Sequence, residues 1–179
     1  MTERTLIDTT NLDRYGADSL PWSRALGDLD AGPPQPDVPG GEFFVVLGTV
    51  RPDGRPHAAG IGARWVDGHF YFTSGPGTRK ARNLAANPNC TLAVRLSGLD
   101  LTLEGVAARV GDRPALERLA ALYREGGWPA EVAGDALTAP FSAPSAGPPP
   151  WDLYRLDAHT GIGVATAEPS GATRWRFER

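Results

Sequence analysis

The sequence predicts a mainly β protein of the α+β class, an antiparallel barrel of about seven strands with two or three helices. Glycine and proline are abundant, with 22 and 17 residues in a chain of 179, which is typical of a protein with many turns. Asp-Gly pairs at 53–54 and 67–68 each separate two strand-like runs, as in β-hairpins. Helices do not alternate regularly with strands, and this disfavours a parallel doubly wound sheet.

Residues 1–41 are predicted to form an N-terminal arm, a short helix and a linker that precede a barrel domain of residues 42–179. Residues 1–20 are polar and lack strong periodicity, which indicates an arm or a mobile tail. Apolar residues then recur at helical spacing from Trp22 onward. Residues 31–41 are rich in proline and glycine and are predicted to be a surface linker.

The first two predicted barrel strands differ in the size and polarity of their side chains. Residues 42–50 are a continuous apolar run, which predicts a strand that is buried on both faces. The next strand, 57–66, has small residues on one face: Ala58, Gly60 and Gly62. These positions leave room for a flat ligand or, equally well, for a neighbouring strand that crowds the sheet.

Alternating apolar residues predict the later strands, at 90–96, 99–110, 151–156, 162–165 and 172–177, with a turn over 157–161. Asp112 is predicted to cap a helix that carries Pro114 in its first turn. Residues 128–150 lose all periodicity but include four large apolar residues. A loop of this length with such anchors is predicted to be an ordered flap beside a pocket.

The stretch 68–88 reads as a strand, a glycine-rich turn and a short basic helix. Thr78 is a plausible N-cap, and Arg79 and Lys80 occupy the first helical turn, where the helix dipole disfavours cations. The chain carries a net charge of −3, yet no Asp or Glu occurs between residues 67 and 100. This combination predicts an anion site, most simply for phosphate. The alternative is a solvated helix with ordinary surface cations.

Several function classes are disfavoured by composition. One cysteine, Cys90, excludes an internal disulfide framework, and it is predicted to be a small buried residue. The three histidines lack metal-ligand spacing, so no metal site is predicted. The mild acidity argues against nucleic acid as a partner. Without a secretory signal or an apolar run that spans a bilayer, the expectation is a cytoplasmic protein with no membrane association.

The ordered set of motifs resembles the pyridoxamine 5′-phosphate oxidase superfamily. It comprises the Pro-Asp-Gly turn, the Asp-Gly hairpin, Phe-Tyr-Phe-Thr-Ser, Thr-Arg-Lys and Asn87-Pro88. Residues 80–84 and 173–177 are most similar to the flavin/deazaflavin oxidoreductases. The resemblance covers residues 42–110 and the last strand. It implies a split β-barrel that forms a homodimer, with two cofactor sites at the subunit interface.

The resemblance also implies which residues bind the cofactor. Thr78, Arg79 and Lys80 match the positions that hold the cofactor phosphate, and Arg82 and Asn83 match positions that help to bind deazaflavin. Two strands that border the ring system supply the other matches: His57, Ala58, Ala59, Gly60, Phe72, Thr73 and Ser74. Trp175 is a further candidate to stack on the ring, the alternative being a core residue.

The predicted function is an oxidoreductase that passes hydride from coenzyme F-420, slightly favoured, or FMN to a small unsaturated or conjugated substrate. Ala59 stands where the oxidases carry an arginine, and their C-terminal arginine signature is missing, which argues against pyridoxamine phosphate. The cofactor performs the hydride chemistry, so the sequence identifies no catalytic acid or base. Arg79 and Lys80 are expected at the protein surface. The alternative is a non-catalytic split barrel that binds or carries a cofactor or haem.

Overall fold

The computed structural model describes residues 5–33 and 41–178, in which ten strands and three helices occur. In chain order these are β1 (Leu6–Asn11), α1 (Trp22–Ala31), β2 (Phe43–Val50), β3 (Pro56–Val66), β4 (His69–Ser74), α2 (Arg79–Ala86), β5 (Asn89–Leu96), β6 (Leu99–Val110), α3 (Arg113–Glu125), β7 (Glu131–Ala133), β8 (Ala136–Thr138), β9 (Asp152–Ala165) and β10 (Ala172–Phe177). The predicted linker lies mostly in residues 34–40, outside the described residues.

Six strands form a closed antiparallel barrel, which confirms the predicted fold class. Their order is β9-β4-β3-β2-β5-β6, and β6 pairs with β9 to close the barrel. The strands β10 and β1 extend the sheet beyond β9. The hairpin between β2 and β3 is held by a hydrogen bond of 2.8 Å from the Gly54 amide to the Arg51 carbonyl. The strand number exceeds the predicted seven because β1, β7 and β8 lack a periodic sequence.

Two hydrophobic clusters stabilise the molecule. The larger fills the barrel and includes Leu29 of α1 together with buried side chains such as Phe70, Leu92 and Trp175. The smaller lies between the barrel wall and α3, and its members from α3 include Leu116 and Tyr123. Because α1 shares the barrel's core, burial of apolar area attaches the N-terminal segment to the barrel.

Residues 6–11, for which the sequence predicted an arm or a mobile tail, form the strand β1. They pair antiparallel with β10, for example Thr9 with Trp175. The side chains of β1 are mostly exposed. Pairing through the backbone imposes no alternation of apolar and polar residues, and the sequence pattern therefore carried no sign of this strand.

The predicted turn over residues 157–161 is wrong, since these residues continue β9 without interruption. A register shift between Glu104 and Gly105 of β6 lets the long strand bend. A side chain at Gly105 would meet the Asp157 carbonyl oxygen at 2.3 Å, so glycine permits the close approach of the two backbones.

The prediction that the first barrel strand is buried on both faces is also wrong for this chain alone. Along β2, residues with buried side chains alternate with accessible ones. Phe43 and Val45 point into the core, whereas Phe44 is 67% exposed on the outer face. The outer face of β2 therefore presents apolar side chains outside the barrel.

Candidate functional site

The start of α2 has the geometry that the sequence predicts. The Thr78 hydroxyl accepts a hydrogen bond of 3.3 Å from the Ala81 amide, which makes Thr78 the N-cap. Ser74, at the end of β4, holds that hydroxyl through a hydrogen bond of 2.9 Å. In the described part of the chain the amides of Arg79 and Lys80 have no hydrogen-bond partner. Two donors of the first turn are thus available to an anion.

Lys80 is the chain's only lysine, and its side chain is largely buried, with 8% of its surface exposed. Among residues 5–33 and 41–178 it forms no ion pair or hydrogen bond through its side chain. Burial lowers the pKa of its ammonium group below the ordinary value. The expectation that both cations lie at the surface holds for Arg79 and is wrong for Lys80. Partial dehydration of an ammonium group without a counterion is costly unless a ligand supplies the charge.

A hydrogen-bonded chain of side chains connects α2 with the hairpin of β2 and β3. Asn83 donates to the Thr49 hydroxyl over 3.0 Å, and this hydroxyl lies 3.3 Å from Nδ1 of His57. The Asn83 side chain is fully buried, and its Oδ1 has no hydrogen-bond partner among the described residues. Asn83 is therefore linked to His57 through Thr49 and is not itself at the surface.

Three positively charged side chains lie near His57. Burial lowers the pKa of the imidazole, and the charges of Arg51, Arg79 and Lys80 lower it further. The structure thus brings together three predicted residues, His57, Arg79 and Lys80, and we name them, with Thr49 and Arg51, the cationic cluster. Sequence reasoning missed Thr49 and Arg51. The hairpin register pairs Thr49 with His57, and the turn sequence carries the signal for that register.

Three of the other predicted cofactor residues make contacts within the chain. Arg82 is exposed and donates to the Gly77 carbonyl over 2.6 Å, so it closes the glycine turn. Phe72 is fully buried and stacks on Tyr154, with ring centroids 5.3 Å apart. Trp175 is fully buried, and its indole donates to the Leu20 carbonyl over 3.0 Å. The prediction that Trp175 stacks on a ligand is therefore wrong, and Trp175 is a core residue, which was the alternative.

The small residues of β3 are accessible on its outer face, but neighbours already cover the glycines. A side chain at Gly60 would lie 2.8 Å from the Phe44 ring, and one at Gly62 would lie 2.6 Å from a Glu42 carboxylate oxygen. Crowding by the neighbouring chain segment thus accounts for both glycines. Ala58 and His57 line a groove of about 610 Å³. Ala59, half-buried, pairs with the buried Leu47.

A separate aromatic pocket of about 370 Å³ lies beside Thr73. The segment 128–151 supplies most of its wall, so this segment is ordered as predicted, with the short hairpin β7–β8. The pocket is lined by Glu42, Thr73, Gly127, Trp128, Pro129, Phe141, Ala143, Ala146 and Trp151. Burial raises the pKa of Glu42 to about 7, against an opposing effect of Arg64. Sequence reasoning assigned Glu42 no role beyond the start of a strand.

Three further findings concern alternative chemistries. Cys90 is buried, as predicted, and burial raises the pKa of its thiol to about 12. Within residues 5–33 and 41–178 no group of three or more His, Cys, Asp or Glu side chains has an arrangement that could hold a metal ion. The helices in the same residues are too short or too polar to span a bilayer.

A closed antiparallel barrel with a glycine turn that leads into a capped helix is a split β-barrel. The family model of pyridoxamine 5′-phosphate oxidase matches residues 38–162, and the chain belongs to this family. A search of curated proteins found no significant sequence match.

Solved structures share the fold at low sequence identity. A conserved hypothetical protein from Mycobacterium tuberculosis is 16% identical, with a TM-score of 0.59 over 86% of this chain and 89% of that one. PhzG from Burkholderia lata 383, in complex with tetrahydrophenazine-1-carboxylic acid, is 19% identical, with a TM-score of 0.52 over 88% of each chain. A heme-binding protein from Mycobacterium smegmatis is 17% identical, with a TM-score of 0.54 over 73% of this chain and 52% of that one.

Proposed function

We propose that the protein is an oxidoreductase that uses coenzyme F-420 or FMN to reduce a small unsaturated or conjugated substrate. The observation that carries this proposal is Lys80, a largely buried lysine with a partly dehydrated ammonium group for which the described residues provide no counterion. A cofactor phosphate supplies the missing negative charge, and charge-assisted hydrogen bonds to phosphate are among the stronger contacts in proteins.

The cationic cluster and the start of α2 would hold the phosphate. Lys80 and Arg79 contribute charge, and their free amides contribute two donors. Thr78 and Ser74 fix the turn that presents these amides. Three features of the site fit a phosphate group: the unpaired ammonium group, the two free amides and the absence of acidic residues between positions 67 and 100 of the sequence.

The outer face of β3 leads from the cationic cluster toward the aromatic pocket. From Ala58 to Arg64 the strand covers roughly 20 Å, at about 3.3 Å per residue. That length accommodates an elongated cofactor whose phosphate lies at one end and whose ring lies at the other. Phe44 and Glu42 must then move from the β3 glycines, or the ring lies on top of them. When bound, the flavin or deazaflavin supplies hydride chemistry, and the chain supplies binding and orientation.

We also propose that the protein is a homodimer with its cofactor sites at the subunit interface. Phe44 and Val46 are exposed on the outer face of β2, 67% and 42% respectively, and Val46 lies beside Ala93 of β5. A second barrel packed on this face would cover these apolar side chains. Sedimentation equilibrium tests the assembly: a dimer is expected, and a monomer at micromolar concentration contradicts this part of the proposal.

Titration of the purified protein with each cofactor tests the function, followed by an assay of the reduced complex with conjugated ketones. Micromolar binding of coenzyme F-420 or FMN with turnover is the expected result, and the Lys-x-Arg-Asn-Leu sequence at the start of α2 slightly favours coenzyme F-420. Binding of neither cofactor refutes the proposal. Tight binding without turnover of any acceptor supports instead a non-catalytic carrier of a cofactor or haem.

A further inference from the structure

The aromatic pocket beside Thr73 has no role in phosphate binding. We propose that it is the substrate subsite and takes a planar conjugated carbonyl compound, with the carboxyl group of Glu42 as the hydrogen-bond and proton donor to that substrate. This inference rests on the proposed oxidoreductase function and deepens it, because it names the substrate class and a catalytic acid that the sequence did not identify.

The walls of the pocket suit a flat apolar molecule. The rings of Trp128 and Phe141 each lie near Trp151, at centroid distances of 5.7 and 6.2 Å. Phe141 is 46% exposed, so part of its ring remains available for contact. A cavity of about 370 Å³ lies in the size range of small-molecule sites. Aromatic faces of this kind favour stacking on a conjugated ring system.

Two of these walls are fixed before any ligand arrives. The Trp151 indole donates to the Gly147 carbonyl over 3.2 Å, and the Trp151 backbone exchanges two hydrogen bonds with Leu137. Trp128 packs edge-on against Tyr123, with ring centroids 4.7 Å apart. A subsite with immobilised side chains loses less conformational entropy when it binds its ligand.

The pocket adjoins the turn that begins the proposed phosphate site. The Ala146 carbonyl lies so close to Gly75 that a side chain there would approach the oxygen to 2.1 Å. Ala146 lines the pocket, and Gly75 belongs to the glycine turn before Thr78. Ala146 of the flap thus lines the pocket and also packs against the glycine turn.

Glu42 is the acidic side chain of the pocket wall. Burial raises its pKa to about 7, and the Arg64 guanidinium of β3 opposes this effect. From α3 the Tyr123 phenol faces it, and burial, together with the negative charge of Glu42, raises the pKa of that phenol. Within the described residues the buried Tyr123 hydroxyl has no hydrogen-bond partner. A carboxyl group in these surroundings is able to hold a proton at neutral pH and to release it.

The proposed reaction is balanced in atoms and charge. Reduction of the carbon–carbon double bond of an enone adds one hydride at the carbon β to the carbonyl, and the reduced flavin or deazaflavin supplies it. The Glu42 carboxyl group would give one proton to the α-carbon as its O–H bond breaks, and the carboxylate would take up a proton from solution, which for a neutral reduced cofactor replaces the N–H proton that the cofactor releases on oxidation. The products are the saturated ketone and the oxidised cofactor.

Binding to full-length protein tests the pocket without any turnover. Isothermal titration calorimetry is performed with benzylideneacetone, a planar aromatic enone, and with its flexible saturated analogue 4-phenylbutan-2-one, each with and without oxidised cofactor. The enone is expected to bind more tightly, and Phe141→Ala is expected to weaken its binding about five-fold. Tyr15→Ala is the matched control, because Tyr15 is 99% exposed and does not line the pocket.

The role of Glu42 is tested by the pH dependence of that affinity. In the wild type the enone is expected to bind three- to ten-fold more weakly at about pH 8.5 than at about pH 6, because the ionised carboxylate no longer donates a hydrogen bond. Glu42→Gln keeps an N–H donor at every pH, and its affinity is expected to be independent of pH. Equal pH profiles in the two proteins overturn the role of Glu42.

The remaining outcomes separate the two proposals. Normal cofactor binding together with no enone binding, or with an unchanged affinity in Phe141→Ala, overturns the pocket proposal and leaves the oxidoreductase proposal intact. Enone binding in a protein that binds neither cofactor overturns the oxidoreductase proposal and, with it, the proton transfer from Glu42.

Discussion

Replacement of Lys80 by methionine removes one charge and almost no volume from the proposed phosphate site. The lysine stem is buried with the rest of the side chain, and methionine fills the same space. We expect Lys80→Met to weaken the binding of the preferred cofactor, because a charged hydrogen bond contributes about 1.5–3 kcal/mol, or roughly a factor of 10–150 in Kd. Arg79 is exposed, so Arg79→Met is expected to weaken binding by only a few-fold.

The effect of Lys80→Met on the free energy of unfolding is also predictable. No ion pair of Lys80 exists in the described residues, and folding must partly dehydrate its ammonium group. Removal of that group relieves the dehydration cost, so the free energy of unfolding of Lys80→Met without cofactor is expected to equal or exceed that of the wild type. Weaker cofactor binding in a protein of unchanged stability separates a ligand contact from a structural one.

Fluorescence titration with cofactor and urea denaturation measure the two effects. Arg113→Met is the matched control, because Arg113 lies on α3 and, among the described residues, pairs with the exposed Glu117. An unchanged Kd in Lys80→Met refutes the phosphate assignment. A loss of several kcal/mol in unfolding free energy refutes the claim that the buried ammonium group has no partner within the protein.

Three other substitutions test the fold and its titrating group. Glu42 has a raised folded-state pKa of about 7, so its stabilising contribution is present below pH 4.5 and is lost as the pH rises through 7. In urea denaturation, the unfolding free energy of Glu42→Gln should therefore equal that of the wild type at about pH 4. At about pH 8 it should exceed the wild-type value by up to about 3 kcal/mol. Equal unfolding free energies at both pH values contradict the raised pKa of Glu42. Gly105→Ala places a methyl group against the Asp157 carbonyl and is expected to cost about 1–3 kcal/mol in unfolding free energy. Gly27→Ala in α1 is the control, because its methyl group meets no atom within 4 Å, and it is expected to raise the unfolding free energy by about 0.5–1 kcal/mol. A lower unfolding free energy in Gly27→Ala, or an unchanged one in Gly105→Ala, contradicts the packing described.

The sequence predicts well the features that depend on neighbouring residues. The caps of α2 and α3 follow from Thr78 and Asp112, whose hydroxyl and carboxylate accept bonds from amides three residues later. The Asp-Gly turns and the alternation of the central strands likewise depend on a few adjacent positions. The closed barrel followed from the number of strands joined by short turns.

Features that depend on distant contacts escape the sequence. The strand β1 is held by pairing with β10, more than 150 residues later, and β9 is continuous because Gly105 of another strand admits its backbone. Burial of Lys80, Asn83 and Trp175 depends on which surfaces the barrel brings together, and no spacing along the chain encodes this. Glu42 gains its raised pKa in the same way.

The central claim is that Lys80 binds an anionic ligand. Because the chain has a single lysine, the titration of Lys80 can be measured directly. Protein labelled with [13C]lysine has one lysine side chain to titrate by NMR, so the pKa of Lys80 can be read without assignment. We predict a pKa below the ordinary lysine value in the free protein, which rises when coenzyme F-420 or FMN saturates the site. A pKa that does not change with saturating cofactor contradicts the account.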